Sequence, residues 1–354
     1  MIRKNNIKIG NKFIGPNQPV FIIAEAGVNH NHQLDLALKL VDAAADAGAD
    51  AVKFQTFRAE QVVTPEAKMA GYQRKNIGQA ESQFAMLKKL ELKEEYYPEL
   101  IKYANKKNIV FLSTPHGGFQ SVDFLHSLNV PAFKFGSGDL NNLPLLQYAA
   151  KFKKPMILST GMGNVVEIKE AVATVKKAGN QKIILLHCTT DYPCRFEDIN
   201  LRAMKTLMNF PGILVGYSDH THDTQTSVMA ATLDACVVEK HLTLDKNLPG
   251  PDHKTSLEPG EFKNLVEQLR KIPVILGSFK KAPTKRELKY LPLVRKSIVT
   301  TVDIKKGEKF TKENLGIKRP GIGLSPRYYS SIISKISRRD IKADTLINRK
   351  HYEK

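Results

Sequence analysis

Two lysines stand inside apolar runs of this chain, Lys53 in AVKFQ and Lys134 in FKFGSG. A buried ammonium is costly unless it meets an anion. Each lysine therefore has either a buried carboxylate such as Glu25 or Glu239 as its partner, or an anionic ligand. Both lie near hydroxyl-bearing run ends, Ser137, Ser159 and Thr160, which favours a site holding phosphate and carboxylate together. The glycines of GSG (136–138) and STGMG (159–163) let backbone amides approach phosphate oxygens, or simply turn the chain. Of the ten histidines, His116, His187, His220 and His241 fall at run ends. We select His220 (GYSDH) and His241 (VVEKH) as ligands of an octahedral divalent metal with open positions, Mn2+ before Mg2+ or Co2+, rather than a closed zinc site. His222 and His253 compete with them. The loop LDKNLPGPDHKTSLEPGEF gathers Asp245, Asp252 and His253; it suits sugar hydroxyls, or caps a helix beginning near Glu258.

The elements that position these residues are eight apolar runs: Val20 to Gly27, Ala51 to Phe57, Ile109 to Pro115, Ala132 to Gly138, Pro155 to Gly161, Lys182 to Cys188, Ile213 to Asp219 and Ala235 to His241. Stretches of helical periodicity separate them. The pattern predicts an α/β fold, a (β/α)8 TIM barrel, with chemistry where the strands end. Alternation along a strand puts Lys53 and Gln55 on one face, and Glu239 and His241 on another. About fifty residues separate the second and third runs, more than one helix needs. We read Val62 to Phe84, with Tyr72 and Gln73, as a lid or substrate-contacting insertion. The barrel pattern ends near Gly277, giving a catalytic domain over 1–277, a Pro- and Lys-rich linker over 278–294 and a small β-rich domain over 295–354 with a turn at Lys306-Gly307.

Composition narrows the classes. The 354 residues are long enough for a barrel plus a smaller domain, and the 42% apolar fraction is that of a globular protein. Three cysteines without a CxxC pair favour neither a disulfide framework nor a structural zinc, and fit a cytoplasmic setting. No signal peptide and no run of about 18 apolar residues is present, which argues against a membrane span. The net charge of +19 is scattered rather than gathered on a motif, and aromatic residues do not interleave with it, so nucleic acid is not the expected partner.

The motifs AEAGVNHN (24–31), VKFQTF, FLSTP, KFGSGDLNNLP, LSTGM, LHCTTDYP, GYSDHT, EKHLTLDKNLPGPDHKTSLEP and KRPGIGLSP resemble those of the sialic acid (N-acetylneuraminate) synthases and the similar legionaminic acid synthases. The resemblance runs from about Phe21 to the end of the small domain. It implies a barrel fused to an antifreeze-like (SAF) domain. It also implies condensation of phosphoenolpyruvate with N-acetylmannosamine or a related 2,4-diacetamido hexose. By the same resemblance His220 and His241 hold the metal. Lys53, Thr114, Lys134, Ser137, Ser159 and Ser218 surround phosphoenolpyruvate, and Glu25, Gln55, Tyr192, Asp139 and Asp252 lie around the sugar, with Thr190 also binding substrate. Arg319 would reach the site of a second copy in a domain-swapped homodimer. Two departures bear on the sugar. Asp139 stands where many bacterial members have Glu, as in the animal branch that uses a 6-phosphorylated sugar, and STPH replaces STPF, placing His116 at the barrel mouth.

These residue types fit such a condensation. A metal polarises the aldehyde, Lys53 and Lys134 hold phosphate, and a carboxylate such as Glu25 handles a proton. The first expectation is an N-acetylneuraminate synthase. The alternatives are a legionaminic acid synthase acting on 2,4-diacetamido-2,4,6-trideoxymannose, or another nonulosonic acid synthase, including one using a 6-phosphorylated sugar. A metal-dependent aldolase or another phosphoenolpyruvate-condensing barrel shares the His pair, and a carbohydrate-binding protein that lost turnover is the answer of a different class.

Overall fold

Inward-facing positions on the barrel strands are apolar at the start of each strand and polar at its end, and that gradient sets both core and site. The structure, a computed structural model, describes residues 6–77 and 81–352. Positions 78–80 of the expected lid and the chain ends, 1–5 and 353–354, lie outside the described residues. A hairpin of β1 (Ile7–Ile9) and β2 (Lys12–Ile14) comes first. Eight parallel strands follow among the described residues: β3 (Phe21–Gly27), β4 (Ala51–Thr56), β5 (Val110–Pro115), β6 (Phe133–Phe135), β7 (Met156–Ser159), β8 (Ile183–His187), β9 (Leu214–Asp219) and β10 (Val237–His241). Each lies within one of the eight apolar runs. Their order is β5-β4-β3-β10-β9-β8-β7-β6, and β5 and β6 lie side by side to close the ring. This is the expected (β/α)8 barrel.

Alternation explains its two cores. Ile22, Val52, Phe54, Phe111 and Val238 face outward and pack with the surrounding helices. Ile23, Ala51, Leu112, Ile157 and Val237 face inward near the strand starts, where Ile7, Ile9 and Ile14 of the hairpin join them. Farther along the same inward columns come Glu25, Lys53, Gln55, Thr114, Ser159, Ser218, Glu239 and His241. Parallel register sets Glu25 against both Lys53 and His241, Gln55 against Thr114, and Glu239 against Ser218. A third strand lysine, Lys240, was not singled out with Lys53 and Lys134. It points the other way on β10, is 1% exposed, and pairs with Asp219 Oδ2 at 3.2 Å. Asp219 also accepts bonds from Thr221, Thr226 and Ser227, so Lys240 ties β10 to β9 and the segment behind it.

Differences from expectation fall in the connections. The segment read as a loop between β4 and β5 carries helices Ala59–Val62, Gly71–Ile77 and Gln83–Leu90. The helix after the last barrel strand is Pro259–Leu276, with Glu258 and Glu261 forming its capping box. The chain divides into two compact units, Met1–Gly277 and Ser278–Lys354. Within the second unit, the expected linker holds a helix, Lys285–Val294, because Thr284 and Glu287 make a capping box that starts it just after Pro283, and Pro292 lies in its last turn. Beyond it, β11 (Ser297–Thr300) and β12 (Leu315–Lys318) pair antiparallel. Isolated bridges such as Ile304 with Ile341 extend the β character in place of longer strands. Ile298, Ile304, Phe310, Leu315, Ile341 and Ile347 form this unit's own core. Among the described residues no helix is long and apolar enough to cross a membrane.

Candidate active site at the barrel mouth

The polar ends of the inward columns open into a cavity of about 320 Å3. On its floor, Lys53 Nζ lies 2.7 Å from Glu25 Oε2 and 3.8 Å from Glu239 Oε2, and donates to Thr114 Oγ1 at 3.1 Å. Lys134 Nζ donates to Ser159 Oγ at 2.6 Å and to the Phe135 carbonyl oxygen at 3.1 Å, and lies 3.5 Å from Glu239 Oε1. Ser218 Oγ donates to the same carboxylate at 3.0 Å. Glu239 thus sits between both ammonium groups, whereas Glu25 pairs with Lys53 alone and accepts from Gln55 Nε2 at 3.1 Å.

That asymmetry separates the carboxyls. Burial pushes Glu239 up, but Lys134 and Lys53 outweigh it and bring the group down to about 2. For Glu25 burial wins over Lys53, and its pKa is raised. Burial pulls Lys53 down, but Glu239 and Glu25 more than compensate and hold it above its ordinary value, whereas burial lowers Lys134. Two carboxyls pushed in opposite directions can divide the roles of fixed charge and proton carrier.

Beside Lys134 lies a cradle of small groups. The Gly161 amide donates to Ser137 Oγ at 3.0 Å, and Cys188 Sγ lies 3.1 Å from that oxygen. A Cβ on Gly161 would come within 2.2 Å of Thr190 Oγ1 and 2.7 Å of Ser137 Oγ. Glycine at this position lets both hydroxyls crowd toward the cavity.

The imidazoles occupy the β9 and β10 ends, with ring centres 5.7 Å apart. His220 Nδ1 bonds the Thr189 carbonyl oxygen at 2.6 Å, which puts the proton on Nδ1 and the lone pair on Nε2, whose one neighbour of hydrogen-bond type among the described residues is Ser218 Oγ at 3.4 Å. His241 Nδ1 is buried without a hydrogen-bond partner. Burial lowers the pKa of both rings, keeping them neutral as ligation requires. Among the described residues no cluster of three or more His, Cys, Asp or Glu side chains is set for a metal. Two neutral imidazoles with accessible nitrogens fit a cation that takes its remaining ligands from water or substrate oxygen. The competitors fall away: His253 has Thr243 and Asn31 on its two nitrogens, and His222 is exposed.

Tyr192 packs against His220, with ring centres 4.1 Å apart, and meets Tyr72 of the β4–β5 insertion at 4.9 Å. Asp252 lines the same side, its pKa raised to about 7 by burial and by the Glu25 charge. Asn76 Nδ2 donates to the Pro251 carbonyl oxygen at 2.7 Å, pinning the insertion to the loop after β10.

The profile of the NeuB family matches residues 40–281, and that of the SAF domain matches residues 295–353. The chain belongs to the NeuB family. It is 50% identical to the N,N'-diacetyllegionaminic acid synthase of Campylobacter jejuni over 92% of this chain and 98% of that one. It is 46% identical to the N,N'-diacetyllegionaminic acid synthase of Legionella pneumophila over 99% of both chains. A solved structure of an N-acetylneuraminic acid (sialic acid) synthetase from Leptospira borgpetersenii is similar with a TM-score of 0.71 and 36% identity, over 81% of this chain and 95% of that one.

As a NeuB family member, the chain brings most of its sequence-selected residues into one cavity. Glu25, Lys53, Gln55, Thr114, Lys134, Ser137, Ser159, Thr190, Tyr192, Ser218, His220, His241 and Asp252 all line it. Asp139 stands one step back, behind His116, with 3.9 Å between Oδ2 and His116 Nδ1. Burial, together with the charges of Lys53 and Lys134, brings His116 itself down to about 3. Arg319 belongs to the second unit, in the chain after β12. Sequence reasoning named Glu239 only as a carboxylate that pairs with a buried lysine. Its place between both lysines was foreshadowed by sharing a strand face with His241. Val62, the first residue of the expected substrate-contacting insertion, also lines the cavity, whereas Val28, Phe57, Met86, Leu87 and Leu90, which line it too, were missed.

Proposed function

We propose that this protein condenses phosphoenolpyruvate with 2,4-diacetamido-2,4,6-trideoxymannose, releasing phosphate and forming N,N'-diacetyllegionaminic acid. The observation that carries the reaction is the pairing, in one cavity, of a two-lysine, hydroxyl-lined floor with two neutral imidazoles, His220 Nε2 lying 3.4 Å from Ser218 Oγ of that floor. The sugar follows from similarity. Both legionaminic acid synthases stand at 46% identity or more, above the 36% of the N-acetylneuraminic acid synthetase. This sets N-acetylmannosamine, the first expectation, behind the trideoxy sugar.

In this mechanism Lys53 and Lys134, with Thr114, Ser137 and Ser159, hold the phosphate and carboxylate of phosphoenolpyruvate and fix its direction of attack. His220 and His241 would hold a divalent cation, for which we favour Mn2+. When bound, it supplies Lewis acidity toward the sugar's open-chain aldehyde. The enol carbon forms a bond to the aldehyde carbon, water adds to the former enol-phosphate carbon, and the tetrahedral adduct expels phosphate. Glu25 is placed to carry the proton between the new hydroxyl and the attacking water, with Gln55 fixing its Oε1. Glu239 stays ionised and keeps both lysines in place. Gln55, Tyr192, Asp252 and Asp139, the last acting through His116, orient the sugar.

We also assign Arg319 of a second copy to the sugar side of the site, in a domain-swapped homodimer. The exposed apolar side chains of Leu288, Leu293 and Val294 support association. The test of the whole reading is phosphate release from phosphoenolpyruvate with Mn2+ and a panel of N-acetylmannosamine, its 6-phosphate and the trideoxy sugar, with product mass read in parallel. Release that depends on the trideoxy sugar, with the matching nine-carbon acid, is the expected result. Release with none of them from folded, metal-loaded protein overturns the reaction. His241→Ala is expected to lose Mn2+ binding in a titration calorimeter as well as turnover, and unchanged Mn2+ affinity removes the metal assignment.

A further inference from the structure

The cavity has one side that the reaction does not explain. Val28, Phe57, Val62, Met86, Leu87 and Leu90 make a continuous apolar wall. Most of it comes from the insertion between β4 and β5, through helices Ala59–Val62 and Gln83–Leu90. Ser82 Oγ accepts from the Ala85 amide and fixes the start of the second helix, which buries Met86 and Leu90 and leaves Leu87 half-buried toward the cavity. The insertion is anchored by Asn76 on Pro251 and by Tyr72 on Tyr192, and its wall lines the same cavity as Tyr192 and Asp252.

Charge is distributed in the opposite sense. The helix Gln83–Leu90 carries Lys88 and Lys89, yet both point outward to Glu60, Glu91 and Glu81. Among the described residues lining the cavity, the only lysines or arginines are Lys53 and Lys134, on the floor and already committed to Glu25, Glu239, Thr114 and Ser159. Neither floor lysine is free for a second phosphate group brought in on the sugar, which would be desolvated against Met86 and Leu87 with no further lysine or arginine of this chain's described lining beside it. A terminal methyl and acetamido methyls, in contrast, gain by leaving water there.

We infer that this insertion wall, with Met86, Leu87 and Leu90 at its centre, is the specificity surface of the site. It selects a sugar with a deoxy terminus and more than one acylamino group, and rejects a 6-phosphorylated one. The inference rests on the reading that the sugar lies on the Tyr192 and Asp252 side. Hydrophobic surfaces discriminate a hydroxyl from a hydrogen only modestly, so N-acetylmannosamine is disfavoured by roughly tenfold to a hundredfold rather than excluded. The 6-phosphate is disfavoured more strongly.

The test compares wild type and Leu87→Lys on the three sugars, by kcat/KM with phosphoenolpyruvate and Mn2+. In parallel, the thermal shift produced by each sugar in the absence of phosphoenolpyruvate is recorded. Wild type is expected to rank the trideoxy sugar first and the 6-phosphate last in both readouts. Leu87→Lys should lose at least about tenfold on the trideoxy sugar, gain on the 6-phosphate and keep the KM for phosphoenolpyruvate. A wild-type preference for the 6-phosphate overturns the inference, as does an equal loss on all three sugars in folded Leu87→Lys. Selective thermal shifts without any turnover would sustain the wall while removing the condensation. The absence of a shift with every sugar would overturn the wall.

Discussion

The floor and the insertion wall of the same cavity are built on opposite principles. Floor residues come from β3, β4, β5, β6, β7, β9 and β10 and the turns just after them, so the barrel ladder sets their spacing and each polar group is held by another: Glu239 by Lys53, Lys134 and Ser218, and Ser137 by Gly161. The wall comes from helices in a connection, held to the rest by a few contacts such as Asn76 to Pro251, and its lining is apolar. The contrast teaches which part can vary. A charge-locked floor tolerates little change and suits the step common to all substrates, whereas an apolar surface on an insertion can be remodelled one side chain at a time without touching the ladder.

The severest way to break this comparison is to open the lock. Glu239→Ala leaves two buried ammonium groups with one carboxyl between them, and we expect a loss of about 3–5 kcal/mol in denaturant unfolding together with the loss of turnover. Adding Lys134→Met should restore most of the stability and none of the activity. A single variant as stable as wild type would show that Glu239 does not hold the lysines, and the floor would then be no more constrained than the wall.

A sharper cut separates the two halves functionally. Gly161→Ala drives a methyl into Thr190 Oγ1 and Ser137 Oγ. Displacing those hydroxyls by an ångström should cost about a hundredfold in kcat/KM for phosphoenolpyruvate, while the order of preference among sugars stays that of wild type. A changed sugar preference would mean that the floor also reads the sugar, and the division proposed above would fail.

The same contrast explains what was legible in the sequence. Period-two alternation in β4 and β10 placed Lys53 with Gln55 and Glu239 with His241 correctly, because strand geometry leaves each side chain only two faces. Alternation also accounts for Lys240: adjacent to two inward residues, it must face outward, and Asp219 meets it there. The wall offered no such rule. An apolar residue in QFAMLKKL satisfies helix periodicity equally well whether it packs on a core or faces a ligand, and what decides the matter is where β3 and the Pro251 loop lie, far off in sequence. Motif resemblance identified the family from end to end. The deviation at Asp139 drew attention to a residue that stands behind His116, while Met86, Leu87 and Leu90 of the wall went unmarked.

Asp252 gives the smallest expected effect and tests whether the sugar side is built at a cost in stability that no ion pair offsets. Its pKa is raised to about 7 by burial and by Glu25, against an ordinary value of 3.8. Between those values the folded chain holds a proton that the unfolded chain has released, so the contribution of the neutral carboxyl is fully present below about pH 4 and is lost as pH rises toward 7. Above that, folding must bury an ionised carboxylate that has no lysine of its own. Asp252→Asn removes this dependence. The variant's melting temperature relative to wild type should climb between pH 4 and pH 7 and level off beyond, at roughly 2–4 °C for each kcal/mol involved, while its KM for the sugar rises. A difference that is flat across this range would place Asp252 in a compensated environment like that of Glu239. The two halves of the cavity would then differ in polarity alone, not in how strongly the fold opposes them.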